Sequence, residues 1–235
     1  RGAVYEARRQ GLRACAWFEY GLMLNPGAPL ARQHPDWLLR TRGGRTVIEG
    51  REWLDPAHPG VRRAMMGMLA ELAAYPGLST IQLDDHWGVP AAFGDHRAAI
   101  TALTREAHRT IKAVDASKRV TLTPHGARYA RERYNQDWLP WVHEGLVEEV
   151  VLQAYRPTAQ EVATEIDASS LDLARRRVRT GVAVFAGFDV RPFTTPPVAA
   201  QLQVAADKGH GQVLFVWEYW MVRRLNGWLG GRLPL

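Results

Sequence analysis

Two adjacent carboxylates and an imidazole, Asp84-Asp85-His86, close the segment Leu78-Ser79-Thr80-Ile81-Gln82-Leu83 and are followed by Trp87. Carboxylates side by side can hold one proton between them. They can also face a cation-like transition state, the two tasks of acid–base chemistry. Thr80, Gln82, Asp84 and His86 alternate with Ile81, Leu83 and Asp85. That alternation assigns one set to each face of a strand, polar on one side and apolar on the other. A buried strand rarely carries an unpaired acid, so the pair is expected at a strand mouth where binding or chemistry takes place. The plainer reading is a capped or ion-paired turn.

Positioning such a group requires a strand anchored under helices, and the chain supplies the pattern. Residues 13–20 read as a strand and 21–58 as a long Gly/Pro-containing segment. Residues 61–75 then read as a helix with Val61, Met65, Met68, Leu72 and Tyr75 on one face. Strands are expected at 78–85, 119–124, 147–155, 181–188 and 211–217. Helices are expected between them at 95–116, 127–143, 159–178 and 196–208. From the second strand onward, strand ends recur roughly every 30 to 40 residues, the length of a strand–helix unit in parallel α/β folds. No Gly/Ser- or Pro-type linker interrupts residues 1–235, which predicts one domain. Six such units fit a (β/α)₈ TIM barrel lacking its first two strands better than a complete barrel of about 250 residues. A doubly wound sheet is the alternative, but no Gly-rich phosphate loop follows any strand, and Gly43-Gly44 reads as a turn.

Composition narrows the class. The chain has 235 residues, 46% hydrophobic and 23% charged, within the range of ordinary globular proteins. The net charge of +6 and clusters such as Arg175-Arg176-Arg177 and Arg223-Arg224 suit a solvated surface. With no zinc-finger spacing, RNA-binding signature or helix-turn-helix pattern, nucleic acid is not an expected partner. No apolar run is long enough to span a bilayer. The single cysteine, Cys15, excludes an intrachain disulfide and reads as a core residue. The chain opens at Arg1 in a helix-like stretch, so two further strand–helix units and an export signal are expected upstream.

In a barrel the active site gathers at the C-terminal ends of the strands. Those ends carry Trp17, Glu19 and Tyr20; Asp84, Asp85, His86 and Trp87; His125; Gln153, Tyr155 and Arg156; Asp189; and Trp217 with Glu218. Five acids and several aromatic rings on one rim suit carbohydrate. Ring faces stack on the C–H faces of sugars, and paired carboxylates protonate a glycosidic oxygen and support the oxocarbenium-like transition state. Asp85 at the loop end is the expected general acid, Asp84 the lumen-facing charge and Glu218 the partner carboxylate. The substrate contacts expected are Trp17, Glu19, Tyr20, His86, Trp87, His125, Gln153, Tyr155, Arg156, Asp189 and Trp217. Glu19 is equally readable as the ion-pair partner of an arginine, and Trp138 and Trp141 as helix packing. Glu49, in the long segment, is expected to be remote from the chemistry. Asp84-Asp85-His86 is the one cluster resembling a metal site, and no His-x-His or His-x-x-x-His pair supports it. No cofactor is expected.

At these residues the chain resembles the glycosyl hydrolase-like 10 family of bacterial barrel proteins. The matching segments are Ala16-Trp17-Phe18-Glu19-Tyr20-Gly21, His34-Pro35-Asp36-Trp37-Leu38, Trp53-Leu54-Asp55-Pro56 with His58-Pro59, Ile81-Gln82-Leu83-Asp84-Asp85-His86, Gln136-Asp137-Trp138-Leu139, Gln153-Ala154-Tyr155-Arg156 and Trp217-Glu218. Ser79-Thr80 stands where the family motif usually reads Asp-Gly. The resemblance implies hydrolysis of amino-sugar or cell-envelope glycans by an exported protein, with a polysaccharide or oligosaccharide as partner. A chitinase-like barrel also carries spaced acids on this strand, but its motif ends in a glutamate where His86 stands. The competing expectations are a glycan-binding barrel without catalysis and a metal-dependent hydrolase or deacetylase using Asp84, Asp85 and His86.

Overall fold

The structure is a computed structural model and describes residues 2–185 and 198–216. It divides into two compact units, residues 1–149 and 150–235. The first runs α1 (Gly2–Arg9), β1 (Ala14–Phe18), β2 (Met23–Leu24), α2 (Pro29–Gln33), β3 (Val47–Ile48), β4 (Arg51–Trp53), α3 (Pro59–Ala74), β5 (Leu78–Asp84), α4 (Arg97–Val114), β6 (Arg119–Thr123), α5 (Ala127–Tyr134) and α6 (Trp138–His143). The strand β7 (Glu149–Gln153) straddles the divide. The second unit continues with α7 (Ala159–Ala168), α8 (Leu171–Arg175), β8 (Arg179–Phe185), α9 (Val198–Asp207) and β9 (Gly211–Phe215).

In the first unit β5 lies between β1 and β6, parallel to both. Register sets Trp17 beside Gln82 and Gln82 beside Thr121, with Asp84 beside Thr123. One face of this sheet is therefore polar. The opposite face carries Ile81, Leu83, Val120 and Leu122, all fully buried, as expected for strands covered by helices. Helix α3 buries Val61, Met65, Leu69 and Ala73, an i, i+4 stripe. The expected Met68 lies off that stripe and is 39% exposed. Cys15 is likewise exposed rather than in the core, on the polar face of β1. In the second unit β8 lies between β7 and β9 and runs parallel to β9. Thr158 and Glu161 form a reciprocal capping box at the start of α7.

Two expected helices are each broken in two. Residues 127–143 divide at Asn135, whose backbone is left-handed (φ 55°). Its amide donates to the carbonyls of Val89 and Gly94 and accepts from the His96 amide, so Asn135 serves the loop after β5 instead of continuing the helix. Residues 159–178 divide at Ser170 (φ 67°). The expected loop 21–58 contains a small antiparallel sheet of order β2-β4-β3. No helix among the described residues is long and apolar enough to cross a membrane.

Candidate active site

The site begins where β5 stops. The Trp87 amide donates to the Asp84 carbonyl (3.0 Å), closing a turn over Asp84-Asp85-His86-Trp87. The turn ends the strand alternation, so Asp84, Asp85 and His86 converge instead of pointing to opposite faces. Gln136, 1% exposed, clamps the turn from behind. Its amide donates to the carbonyls of Asp84 (3.0 Å) and Asp85 (3.2 Å). Gly21 lets the loop after β1 press on the same turn, since a Cβ there would stand 2.5 Å from the His86 carbonyl oxygen. We expect Gln136→Leu to take a donor from both carbonyls, leaving Asp84 with the Trp87 amide (3.0 Å), and to lower stability by about 1–3 kcal/mol. Chemical denaturation checks this, and an unchanged midpoint would show that the turn holds without the clamp.

The side chains of the turn form a tight charge network. His86 Nδ1 lies 3.2 Å from the Glu19 carbonyl, 3.1 Å from Asp84 Oδ2 and 3.6 Å from Asp85 Oδ1. A carbonyl only accepts, so Nδ1 carries a hydrogen and Nε2 is the nitrogen that titrates. His125 Nε2 lies 3.2 Å from Asp85 Oδ2. Burial dominates at Asp84 and pushes its carboxyl up to about 6 against the pull of His86, with the neighbouring Asp85 charge adding to the rise. Burial also acts on Asp85, but the His125 hydrogen bond and the charges of both imidazoles outweigh it and hold this carboxyl down to about 2. For His86 the burial effect is outweighed by the Asp84 hydrogen bond and the two carboxylates, and its pKa is raised. The two neighbouring carboxyls are thus driven in opposite directions, Asp84 up and Asp85 down.

Asp85 and His86 open onto a cavity of about 380 Å³ lined also by Glu19, Tyr20, Met23, Glu49, Arg51, Trp53 and Tyr134. Aromatic rings form its wall. Trp53 lies 6.3 Å from the His86 ring and 6.4 Å from Tyr134, and Tyr134 stacks at 6.1 Å and 24° on His125. Tyr20 and Trp17 are 46% and 43% exposed on the loop end of β1. Tyr134, Glu49 and Arg51 were not anticipated, and Glu49 lines the site rather than lying remote from it. The local signal was slight: Gly50, a turn former, stands between the β-prone Thr46-Val47-Ile48 and Arg51-Glu52-Trp53, the spacing of a two-residue hairpin.

Other expected residues fall elsewhere. Trp87 is a correction: it is fully buried and its Nε1 donates to Thr104 Oγ1 (2.9 Å), so it packs the core and cannot face substrate. Trp138 and Trp141 are fully buried helix residues, and Trp138 Nε1 holds the His125 carbonyl (3.1 Å). In the second unit Gln153 is 8% exposed at the end of β7. Tyr155 stacks on Phe215 (5.3 Å, 19°), and Arg156 pairs with Glu165 (2.6 Å). Asp189, Trp217 and Glu218 lie outside the described residues. The ligand atoms of Asp84, Asp85 and His86 lie within 4.8 Å of one another, a spacing a cation could bridge.

Comparison with known proteins gives the fold its place. The chain is similar to TtGalA, an α-galactosidase from Thermus thermophilus, with TM-score 0.61, 18% identity, 97% of this chain and 49% of that one covered. It is similar to the GH36 α-galactosidase AgaA from Geobacillus stearothermophilus (TM-score 0.61, 15% identity, 97% and 32% covered). It is also similar to the PgaB (BpsB) glycoside hydrolase domain from Bordetella bronchiseptica (TM-score 0.67, 14% identity, 95% and 77% covered). The chain thus spans half or less of the length of those two α-galactosidases, and at these identities the likeness establishes fold: α/β, a partial TIM barrel. No curated protein sequence matches the chain significantly. The sequence model described as Glycosyl hydrolase-like 10 matches residues 2–102 and 95–204. By that match, which takes in β5, its acid turn and the walls of the cavity, the chain belongs to the glycosyl hydrolase-like 10 family.

Proposed function

We propose that this protein hydrolyses glycosidic bonds in amino-sugar or cell-envelope glycans. The observation that carries the reading is the convergence of Asp84, Asp85 and His86 at the end of a strand, beside a cavity with aromatic rings in its wall. Neighbouring acids whose environments drive their pKa values apart have separate tasks. Asp85, ionised and lining the cavity, stabilises positive charge at the anomeric carbon. The Asp84–His86 pair stores the proton needed by the leaving oxygen, and His86 presents it to the cavity, since Asp84 is 1% exposed. A proton on His86, whose neighbouring carboxylates raise its pKa above the ordinary histidine value, suits general acid work at neutral pH. Tyr134 and Tyr20 offer ring faces for sugar stacking, with Trp53 (2% exposed) packed behind them, and Glu19 and Arg51 bind hydroxyls or substituents. Glu218 lies outside the described residues, and its part as partner carboxylate is an expectation from the sequence. Glycans of this class lie outside the cytoplasm, so the reading includes export.

The test is release of reducing ends from a panel of cell-wall and amino-sugar glycans, with binding measured alongside. Hydrolysis supports the reading. Binding without release would replace it with a catalytically silent glycan-binding barrel. The 4.8 Å spacing of Asp84, Asp85 and His86 motivates one further arm. Activity lost to a chelator and restored by zinc would replace proton transfer by a metal-dependent reaction.

A further inference from the structure

The tip of the β3–β4 hairpin is built in a way that a simple turn does not require. Glu49 and Gly50 both have positive φ, 56° and 71°. That two-residue turn matches the twist of the flanking strands, and its first position is ordinarily Asn, Asp or Gly. A glutamate there is strained, and strain at a site points to a use for the side chain. Glu49 Oε2 accepts from Tyr134 Oη (3.0 Å), and Oε1 is ion-paired with Arg133. The Arg133 side chain is 52% exposed, so the ion pair by itself adds little stability. Its consequence is orientation. The Tyr134 ring stacks on His125 at 6.1 Å, and His125 Nε2 reaches Asp85 Oδ2 at 3.2 Å.

We propose that Glu49 is a positioning residue for the reaction. It pins Tyr134 against His125, so the imidazole beside Asp85 and the aromatic wall above it keep a single orientation. The proposal rests on the glycosidase reading for its kinetic consequences and on the contact chain Glu49–Tyr134–His125–Asp85 for its geometry. Asp85 also faces His86 and Asp84, and Glu19 and Arg51 line the same cavity. A second ring path runs from Tyr134 through Trp53 to His86 (6.4 and 6.3 Å), and Tyr129 packs edge-on against His125 (5.2 Å); the path through His125 is the one that reaches Asp85 Oδ2.

The experiment compares wild type with Glu49→Ala, Glu49→Gln, Tyr134→Phe and the Glu49→Ala/Tyr134→Phe pair, on the glycan that the panel identifies. Misplacement of about 1 Å at a reacting centre costs up to about 10²-fold, so Glu49→Ala should lower kcat/KM by about 10- to 10²-fold. The acid limb of its pH profile should move upward as His125 loosens from Asp85. Glu49→Gln keeps an acceptor for Tyr134 Oη and should recover most of the loss. The Glu49→Ala and Tyr134→Phe effects should be strongly non-additive, because one acts through the other. Wild-type rates with an unmoved acid limb in Glu49→Ala, or additive effects, would overturn the proposal. If Glu49→Ala fails to fold, Tyr134→Phe reads the same limb. If the wild type cleaves no glycan, the glycosidase reading fails separately. The ring-proton chemical shifts of His125, assigned with His125→Gln, then decide: a change in Tyr134→Phe supports positioning, and unchanged shifts overturn it.

Discussion

Asp85→Asn is expected to lower hydrolysis by about 10²- to 10³-fold while the protein stays folded, the loss typical of removing one preorganised electrostatic contact to a transition state. Asparagine preserves the shape of the side chain and an acceptor for His125. It removes the full negative charge that the two imidazoles maintain. The Asp85 charge is also one of the causes that raise His86, so the same substitution should lower the His86 pKa and shift the alkaline limb of the rate profile toward lower pH. Steady-state rates across pH, with thermal unfolding as the control, check both effects. Near-normal turnover by a folded variant would remove Asp85 from the chemistry and turn attention to Glu19 and Glu218.

Asp84→Asn is expected to impair hydrolysis and at the same time to stabilise the protein. A buried carboxyl that ionises near 6 instead of 3.8 binds its proton more tightly in the folded chain. The stability it contributes is full below the unfolded value near 3.8 and is lost as pH rises through about 6. The loss amounts to about 3 kcal/mol at neutral pH if the group titrates alone. His86 has the same sign: its raised pKa contributes stability below the ordinary value of 6.5 that disappears as pH climbs through the folded one. Asp85 has the opposite sign, contributing above 3.8 and losing its contribution as pH falls toward 2. Wild type should therefore lose stability between about pH 4 and pH 7, and Asp84→Asn should flatten that slope and gain up to about 3 kcal/mol at pH 7.5. Such a gain accompanied by lost function is the expected signature of a site kept under electrostatic strain. Urea unfolding at several pH values measures it. A variant destabilised at pH 7.5 would show that the hydrogen bond to His86 outweighs the burial of Asp84, and would move the stored proton onto His86 alone.

The alternation around Leu78–Asp84 was sufficient to identify β5 and to separate its polar face from the face carrying Ile81 and Leu83. Local rules reach that far because residue spacing alone decides which side of a strand is buried. The same spacing predicted opposite faces for Asp84 and Asp85, and there it failed. The backbone turns at Asp84, and the turn is held by Gln136, which lies 52 positions away. Which carboxyl is driven up and which down depends on His86 and on His125, the latter from the end of another strand, and desolvation and charge pairing are properties of a three-dimensional surrounding. Trp87 resembled a rim aromatic until Thr104 gave its indole a buried partner. The small sheet β2-β4-β3 and the Glu49–Tyr134 contact were hidden in a segment whose strands are only two or three residues long, too short for any period to register. The sequence by itself determined the parallel strand–helix order and the strand end where the acids gather, since both follow from local pattern. Tertiary structure alone decided which carboxyl is driven up and which down and what lines the cavity beside them, because both depend on contacts between segments distant along the chain.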